Sequence, residues 1–452
     1  MKDSVADDNF GQLARETLID GMGRRDFVKA LTAVGAGVSV VGLQAGCVRS
    51  GSKASAANSV RVLQPGQGDI PGRHYLGSKP DEVLWGYVPN VHAAPVLRVR
   101  SGDTVTVDAV SHEGILEDQG RNPVAYFGSK GVAESEVLQD AVAIASQYNR
   151  TPRDFDKDGP HVVTGPVFVE GASPGDVLKI ETLEATPRVP YGVVSSRHGK
   201  GALARTPRGD APAGITLDEV MPPVADDGRV TRNPAKYGNV STFTAVVDGH
   251  GVMRYGSHSV RFPLNPFMGM MGVAFSQDSG LTAQSANSIP PTLGGGNIDI
   301  RLLGVGSTFY LPVFAEGALF YAGDPHMAMG NGEVSLTAME GALRGTFRLT
   351  ACKRGSGDAP AIAYRYPFAE TADLWVPIGL SDPDGSVNGQ VADLDVAMRR
   401  AIVNALDFLE HDKGMDRPTA YSYLSAAADF SVSQVVDRTT GVHGQISKAH
   451  FA

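Results

Sequence analysis

Pro312-Val313-Phe314-Ala315-Glu316-Gly317-Ala318 has a near copy earlier in this chain. The segment Pro166-Val167-Phe168-Val169-Glu170-Gly171-Ala172 matches it at every position but one. Each copy runs into a Gly-Asp pair, Gly175-Asp176 after the first and Gly323-Asp324 after the second. The apolar part of each copy is too short for a helix and ends in turn residues, which favours a strand. A match with a shared Pro, Glu and Gly indicates a duplicated strand-turn-strand unit and a pseudo-symmetric core.

The two copies differ in the residues after the aspartate. After Asp176 the sequence continues as plain strand from Val177 to Glu181, whereas Asp324 precedes Pro325-His326 and a Gly-rich run to Glu333. Polar groups at strand ends are how a rigid β framework presents a site. The second copy is therefore predicted to carry the chemistry.

Short alternating segments continue the β pattern outside the repeat. Val96 to Arg100 and Thr104 to Asp108 alternate with period two on either side of a Ser-Gly-Asp turn, which predicts a hairpin. One helix is predicted in this region, at about Glu134 to Gln147. The 54 glycines and 28 prolines fit a chain of short strands and many turns.

Helical periodicity replaces the strand pattern near the C-terminus. Apolar residues recur on one face from Val391 to His411, Gly414 ends this helix, and Pro418 opens a second helix. We therefore predict a mainly β fold, with a β-sandwich or barrel-like core that contains the internal repeat, plus a C-terminal α-helical hairpin. The β-rich core is placed at residues 57–385, and the helical segment packed on it at 386–452.

Residues 1–56 are predicted to be a twin-arginine signal peptide and linker. Gly23 to Lys29 contains the arginine pair, and an uncharged run from Ala30 to Cys47 comes next that is too short and too rich in Gly and Ala for a membrane span. Two processing routes are open. Cleavage at Ala54-Ser55-Ala56 would give a periplasmic or extracellular protein, whereas a lipid on Cys47 would anchor it to a membrane.

The amino-acid composition limits the kinds of partner that are expected for this protein. The net charge of -9, without a basic cluster beyond the signal, argues against nucleic acid. No second apolar run reaches membrane length, so no integral span is expected after processing. Ordinary cleavage would leave Cys352 as the remaining cysteine, which excludes an internal disulfide, and its strand-like surroundings predict a structural role.

A series of motifs, in order along the chain, resembles the acetamidase/formamidase family. The matching segments are Trp85-Gly86-Tyr87, Ser101 to Val105, Thr164 to Val167, Gly171 to Asp176, Gly295 to Arg301, Leu311-Pro312-Val313, Gly323 to His326 and Gly441-Val442-His443. The resemblance covers nearly the whole chain after the signal. It implies hydrolysis of short linear amides to carboxylate and ammonia, on a β-sandwich-like fold that assembles into homo-oligomers.

The chain departs from the family pattern after the histidine. That pattern has a Gln and then Gly-Asp-Gly-Glu, where this chain has Met329 and Gly330-Asn331-Gly332-Glu333. The leading prediction is a hydrolase of the carbon-nitrogen bond of formamide-like or acetamide-like amides, acting through activated water. The alternatives are an exported protein that binds a ligand without turnover, which Met329 and Asn331 favour, or a hydrolase of a different amide or ester.

Amide hydrolysis needs an activated nucleophile, a stabilised oxyanion and a proton for the departing nitrogen. Asp324 and His326 are separated by one residue and can point to the same side of an extended segment, so they are predicted catalytic residues and metal ligands. His112 is a third candidate for both roles, and Glu333 is a candidate general base. The ion would be divalent, such as zinc or calcium, and no organic cofactor is expected. The alternative is structural, with a turn aspartate, a loop histidine and Glu113 in a solvated acidic loop.

Four further residues are predicted to bind the substrate. Asn297 and Asp299 alternate along a predicted strand, so they share a face that lines the pocket or knits the sheet. Gly296 belongs to the run Gly294 to Gly296, whose backbone amides could cradle an anion, although a tight turn is the better explanation of such a run. Asn331 stands at the departure from the family pattern.

Overall fold

A computed structural model describes residues 60–197, 200–203, 239–275, 285–383 and 392–451. The predicted signal segment, with Cys47, lies outside the described residues. The strands are β1 (His74–Leu76), β2 (Leu84–Trp85), β3 (Tyr87–Pro89), β4 (Leu97–Arg100), β5 (Thr104–Ala109), β6 (Val162–Glu170), β7 (Val177–Pro187), β8 (Tyr191–Arg197), β9 (Asn239–Val247), β10 (His250–Tyr255), β11 (His258–Pro263), β12 (Phe267–Gly272), β13 (Ser285–Asn287), β14 (Gly295–Asn297), β15 (Thr308–Pro312), β16 (Phe320–Ala328), β17 (Met339–Glu340), β18 (Leu343–Cys352), β19 (Phe368–Glu370), β20 (Leu374–Leu380), β21 (Asp429–Gln434) and β22 (Gly441–Ser447). The α-helices are α1 (Pro123–Gly128), α2 (Gln139–Gln147), α3 (Leu394–Lys413) and α4 (Arg417–Ala427).

Two large sheets form the core. The first sheet has nine strands in the order β1-β5-β18-β7-β15-β19-β20-β22-β21. The second has eleven strands, with β11-β10-β9-β8-β17-β16-β12-β14 as its main path and with β6, β2 and β4 attached through β16. Strands β5 and β18 of the first sheet contact β6 and β16 of the second, and apolar side chains such as Phe320 and Phe347 meet between them.

This arrangement confirms the mainly β prediction. Both strand orders have two ends, so in the described ranges the sheets pack as a sandwich and do not close into the barrel-like alternative. Cys352 is buried at the end of β18, as its strand-like surroundings predicted.

The repeated segments lie at two corresponding corners of the sandwich. The first copy carries the chain from β6 in the second sheet to β7 in the first, and the second copy carries it from β15 in the first sheet to β16 in the second. The corners contact each other, because β6 pairs with β16 and β7 pairs with β15, both antiparallel. Backbone hydrogen bonds from Val169 N–H to Gly317 C=O, and from Gly317 N–H to Ala172 C=O, join the two turns.

The predicted hairpin at Val96 to Asp108 is wrong. Strand β4 pairs in parallel with β6 of the second sheet, whereas β5 pairs with β1 and β18 of the first. The turn therefore carries the chain from one sheet to the other. Period-two alternation identified both strands correctly, but alternation alone does not select the strand with which each one pairs.

The helical predictions hold within a few residues. Helix α2 occupies the second half of the segment predicted at Glu134 to Gln147. Helix α3 begins after Asp393, whose side chain accepts a hydrogen bond from Val396 N–H, and ends at Gly414 with φ 69°. It packs on β20 and β22, and α4 packs on α3. None of the helices in the described ranges is both long enough and apolar enough to cross a membrane.

Candidate active site

Strand β16 places Asp324 and His326 in the interior of the second sheet, between β6, β12 and β17. Both side chains are almost completely buried. Gly269 of β12 leaves room for them, since a Cβ atom at this position would lie 2.5 Å from Asp299 Oδ1 and from His326 Cε1, and 2.8 Å from Asp324 Oδ2. A glycine is therefore required where the three groups converge.

Three buried carboxylates of this region belong to residues with positive φ. The angles are 48° at Asp299, 49° at Asp324 and 46° at Glu333. Residues other than glycine rarely adopt this conformation, which costs free energy and persists where the surrounding structure enforces it. The fold thus holds these three carboxyl groups in place against local backbone preference.

His326 lies at the centre of the carboxylates. Its Nε2 atom is 3.0 Å from Asp324 Oδ2, 3.1 Å from Glu340 Oε1 and 3.8 Å from Glu333 Oε1. Its Nδ1 atom is 3.8 Å from Asp299 Oδ1. The site thus combines residues that are far apart in the sequence.

Two further histidines face the other oxygen of Asp324. His112 Nδ1 is 3.6 Å from Asp324 Oδ1, and His161 Nε2 is 3.8 Å from the same atom. The two imidazoles meet edge to face, with 5.6 Å between their centroids. The Nδ1 atom of His161 lies 2.9 Å from Ser288 Oγ, which fixes the orientation of that ring. Asp324 therefore separates His326 on one side from His112 and His161 on the other.

Several of these buried polar atoms have no hydrogen-bond partner in the ranges that the structure describes. They include His112 Nδ1, Asp324 Oδ1, Glu340 Oε2 and Asn297 Oδ1. Nearly all buried polar groups of folded proteins are paired, so each exception requires a cause, such as an unpaired ligand or ion position. The polar atoms here converge on the same small space.

The charges of the histidine side of the site depend on burial and neighbours. Burial lowers the pKa of His112, but the neighbouring carboxylates of Asp324 and Glu113 outweigh it and raise the pKa to about 10. Burial also lowers the pKa of His161, and there it prevails, so the pKa falls to about 4. Burial raises the pKa of Asp324, but His326 and His161 reverse the shift and hold it well below its usual value. Asp324 is therefore the ionised carboxylate of the site.

The pKa values of the remaining carboxyl groups are raised, in contrast to that of Asp324. Burial raises the pKa of Glu333 well above its usual value, and the nearby Asp299 adds to the shift. Burial and the neighbouring Asp437 raise the pKa of Asp299 in the same way. Burial also raises the pKa of Glu340, although His326 opposes it. These groups therefore hold their protons more tightly than ordinary carboxyl groups do, whereas Asp324 holds its proton less tightly.

A pocket of about 610 Å³ reaches this cluster. Its polar lining includes His112, His161, Asn297, Asp324, Glu333, Glu340 and Asp437. His326 does not line the pocket and lies behind Asp324. His112, His161 and Asp324 are therefore part of the ligand-accessible face of the cluster, together with Glu333 and Glu340.

The structure brings together most of the predicted site residues. His112, Asp324, His326, Glu333 and Asp299 form the cluster, and Asn297 lines the pocket. Asp299 lies beyond the end of β14 and does not share a strand face with Asn297, because Gly295 and Gly296 also adopt positive φ there.

Two predicted residues lie elsewhere. Gly296 is buried beside Tyr321, whose hydroxyl a Cβ atom at Gly296 would approach to 3.2 Å. Asn331 lines a different pocket together with Met329. The departure from the family pattern at Asn331 is thus outside the pocket that His112 and Asp324 line.

Glu113 is not in a solvated acidic loop. Its side chain is buried, and it accepts hydrogen bonds from Ser195 Oγ at 2.5 Å and from Gln119 Nε2 at 2.6 Å. Its Oε1 atom is 3.5 Å from His112 Nε2. The acidic segment packs inward because these donors satisfy the carboxylate, and Glu113 supports the far side of the His112 ring.

His161, Glu340 and Asp437 were missed in the sequence. His161 comes after a Gly-Pro turn directly before β6, and Glu340 and Asp437 are single acids in the apolar contexts Ala338-Met339 and Val435-Val436. A lone acid in an apolar run is a signal for a buried functional carboxylate, although a weak one. Gly269 gave no signal, since only the tertiary structure shows what surrounds it.

The donor atoms fit a bound cation. His112, His161 and Asp324 can each offer one atom within 4.8 Å of the others, and Asp324, His326 and Glu340 form a second such group. Among the described residues, the cationic side chains within 4 Å of these carboxylates are histidines and not lysine or arginine. Buried carboxylates without a lysine or arginine partner are a suitable environment for a metal ion.

Part of the chain matches a known protein family. Residues 278–444 match the model of the Acetamidase/Formamidase family. This range contains Asp299, Asp324, His326, Glu333 and Asp437, and it does not contain His112 or His161.

Two relatives of this chain are named acetamidase and formamidase. The chain is 29% identical to an acetamidase of Mycolicibacterium smegmatis over 210 residues, which are 40% of this chain and 51% of that protein. It is 26% identical to a formamidase of Methylophilus methylotrophus over 313 residues, which are 63% of this chain and 75% of that protein. The chain thus matches about half the length of the first relative.

The fold also occurs among solved structures. A crystal structure of acetamidase from Yersinia enterocolitica matches 87% of this chain and 96% of its own, with a TM-score of 0.59 and 24% identity. An acetamidase from Bacillus halodurans matches 83% and 98%, with a TM-score of 0.57 and 22% identity. The chain is thus similar to the acetamidase/formamidase family over residues 278–444, and it shares its fold with two acetamidases.

Proposed function

We propose that this protein hydrolyses the carbon-nitrogen bond of linear amides to a carboxylate and ammonia, with His112, His161 and Asp324 as the face that meets the substrate. One observation carries the proposal: His112 Nδ1 and Asp324 Oδ1 are buried and 3.6 Å apart at the base of a pocket, and neither atom has a hydrogen-bond partner among the described residues. The names of the relatives indicate the same reaction class.

The chemistry of the reaction depends on the residues around that base. The oxygen of water adds to the amide carbonyl carbon, the carbon-nitrogen bond breaks, and the nitrogen leaves with a proton as ammonia. Glu333 and Glu340 line the pocket and have raised pKa values, so as carboxylates they are strong enough bases to accept the proton of water and can return it to the nitrogen. Asp324 stays ionised and orients His326 behind it.

We further propose that His112, His161 and Asp324 hold a divalent cation. Two imidazole nitrogens and one carboxylate oxygen suit zinc better than calcium, which prefers oxygen ligands. Such an ion lowers the pKa of bound water and polarises the amide carbonyl. Glu113 and Ser288 would orient the two histidine rings from behind.

Ammonia release by the purified protein tests the proposal. Formamide, acetamide, propionamide and larger amides are assayed before and after chelation, for the wild type, His326→Ala and the control His258→Ala, which changes an exposed histidine of β11. We expect turnover that His326→Ala abolishes and His258→Ala preserves. The absence of turnover by folded, metal-supplied protein would refute the proposal and favour a ligand-binding protein on this fold.

We also propose export by the twin-arginine route, since Gly23 to Lys29 precedes the uncharged run from Ala30 to Cys47. Cell fractionation of the protein with Arg24 and Arg25 both changed to Lys tests this, because the changed protein should stay in the cytoplasm. Cys47→Ala separates the two processing routes. It should release the protein from membranes only if Cys47 is lipidated.

A further inference from the structure

The pocket is larger than formamide or acetamide requires. Its volume of about 610 Å³ falls in the range of about 300–1,000 Å³ that holds drug-sized ligands. Leu116, Phe155, Ile289 and Leu336 supply apolar lining. Phe155 is 38% exposed, a high fraction for a large aromatic side chain. The pocket therefore has space and apolar surface for an acyl chain of several carbons.

The loop after β21 forms another part of the wall, and the side chain of Gln434 shapes it. Gln434 is fully buried, and its Oε1 atom accepts hydrogen bonds from the backbone N–H groups of Val436 and Asp437. Its Nε2 atom donates to Thr439 C=O. Thr439 N–H donates to Asp437 C=O at 2.6 Å, which closes a three-residue turn with Arg438 at its centre.

Arg438 has a strained backbone in this turn. Its φ is 66°, and a three-residue turn centred on a residue with φ near +75° is rare and unfavourable. Arginine has no preference for this conformation, unlike Gly, Asn or Asp. Strain of this kind, held in place by a buried side chain such as Gln434, occurs where a side chain must be presented in a fixed position.

Arg438 also differs from the neighbouring arginines in charge pairing. Arg153 and Arg197 line the same pocket, but Glu117 and Asp118 pair with them at 3.1 and 2.7 Å. Arg438 makes no ion pair within the described ranges. A guanidinium group presents several N–H donors in a planar fork that matches a carboxylate.

The polarity of the pocket fixes where a charged substrate group can lie. The base carries the ionised Asp324, which would repel an anion but accept an uncharged amide group. Arg438 provides the opposite charge elsewhere on the pocket lining. A substrate with an amide at one end and a carboxylate at the other matches this distribution.

We propose that the substrate is the monoamide of a dicarboxylic acid, with its carboxylate bound to Arg438 and its amide group at Asp324 and His112. This inference rests on the proposed amidase function. Water adds to the amide carbonyl carbon, the carbon-nitrogen bond breaks, and the products are the dicarboxylate and ammonia. The apolar lining contacts the methylene groups between the two ends.

Paired substrates test the inference. The kcat/KM values of succinamate, glutaramate and adipamate are compared with those of the neutral amides butyramide, valeramide and hexanamide. The proteins are the wild type, Arg438→Lys, Arg438→Asn and the control Arg254→Asn, which changes an exposed arginine of β10. Asparagine tolerates positive φ, so Arg438→Asn removes the charge without adding strain.

We expect the wild type to prefer at least one charged amide over its neutral partner by tenfold or more. Arg438→Asn should reduce that preference by about 10- to 100-fold, as expected for loss of a hydrogen-bonded charge pair. Arg438→Lys should retain part of the preference, and Arg254→Asn all of it. Equal kcat/KM values for charged and neutral amides, or an equal loss for both in Arg438→Asn, would overturn the inference.

Calorimetric binding of the same charged amides to the same proteins separates this inference from the proposed function. Binding that depends on Arg438, without turnover of any amide, would refute the amidase proposal and retain the carboxylate site. If no charged amide binds and none is preferred as a substrate, the carboxylate site is refuted, whatever the turnover of acetamide.

Discussion

Asp176 and Asp324 each come after a glycine near one of the two repeated segments, but their surroundings are opposite. Asp176 is satisfied by hydrogen bonds from Ser173 N–H at 2.9 Å and from Lys353 Nζ at 2.7 Å. Asp324 is buried at φ 49° among histidines, and its Oδ1 atom has no hydrogen-bond partner in the described ranges. The Gly-Asp pair therefore stabilises a turn in one corner of the sandwich and supplies a residue of the candidate active site in the other.

The difference shows how one copy of a duplicated element can stabilise the fold while the other copy supplies a group for binding and catalysis. A carboxylate with a full set of donors contributes to folding and has no capacity left for a ligand. A carboxylate with an unsatisfied oxygen costs stability and is free to bind. Changing one group at a time in each corner tests whether this distinction is real.

The largest expected effect is that of Asp324→Asn. Asparagine keeps the shape and tolerates positive φ, so the protein should fold, but the ionised group of the site is lost. We expect kcat/KM for amides to fall by about 10²- to 10⁴-fold, measured by ammonia release.

Asp176→Asn is the matched change in the other copy. It should keep amide turnover and lower the free energy of unfolding by about 1–3 kcal/mol, because one of the two acceptor oxygens of this buried carboxylate becomes an NH2 donor. Denaturant unfolding measures this. Similar losses of activity in both variants would contradict the proposed separation.

Gly269→Ala should have the next largest effect. The added methyl group would collide with Asp299, Asp324 and His326, and displacement of reacting groups by about 1 Å can cost about 10²-fold in rate. Gly128→Ala is the control, since a Cβ atom there meets no atom within 4 Å. Wild-type rates in Gly269→Ala would mean that the groups around it are not where catalysis occurs.

Metal analysis tests the histidine side of Asp324. We expect the purified protein to contain a divalent ion, chelation to remove both ion and activity, and His161→Ala to weaken metal affinity by about tenfold or more, measured by titration and elemental analysis. The exposed His258 provides the control, His258→Ala, which should bind as the wild type does. Full activity in demonstrably metal-free protein would exclude this role.

The smallest effect is expected for Lys353→Met, which removes the cation beside Asp176. The Lys353 side chain is 56% exposed, so solvent screens the pair, and the expected loss is at most about 1 kcal/mol in the free energy of unfolding. Amide turnover should not change. A loss of turnover would show that the first corner is coupled to the site.

Much of the fold could be predicted because it depends on local patterns. Period-two alternation identified the strands, and the cap at Gly414 and the apolar stripe identified helix α3. The partners of β4 and β5 could not be predicted in this way, because strand pairing is decided by contacts between segments far apart in the sequence.

The residues of the candidate site also fall into two groups, those that a local sequence pattern predicts and those that it does not. Asp324 and His326 are close in sequence and share a strand, so their spacing alone indicated a site. His161, Glu340 and Asp437 are single polar residues on separate segments. Strand pairing within the second sheet brings His161 and Glu340 next to Asp324, whereas Asp437 comes from the loop after β21 of the first sheet. Gly269 contributes by lacking a side chain, a property that has meaning only once its neighbours are known.

The positive φ angles of Asp299, Asp324 and Glu333 have a consequence for laboratory evolution. Glycine or asparagine at these positions would relieve backbone strain and remove a buried carboxylate, so selection for heat resistance alone should favour such changes at the expense of turnover. Positions where heat-resistant, inactive variants accumulate would then map the active site without any substrate being known.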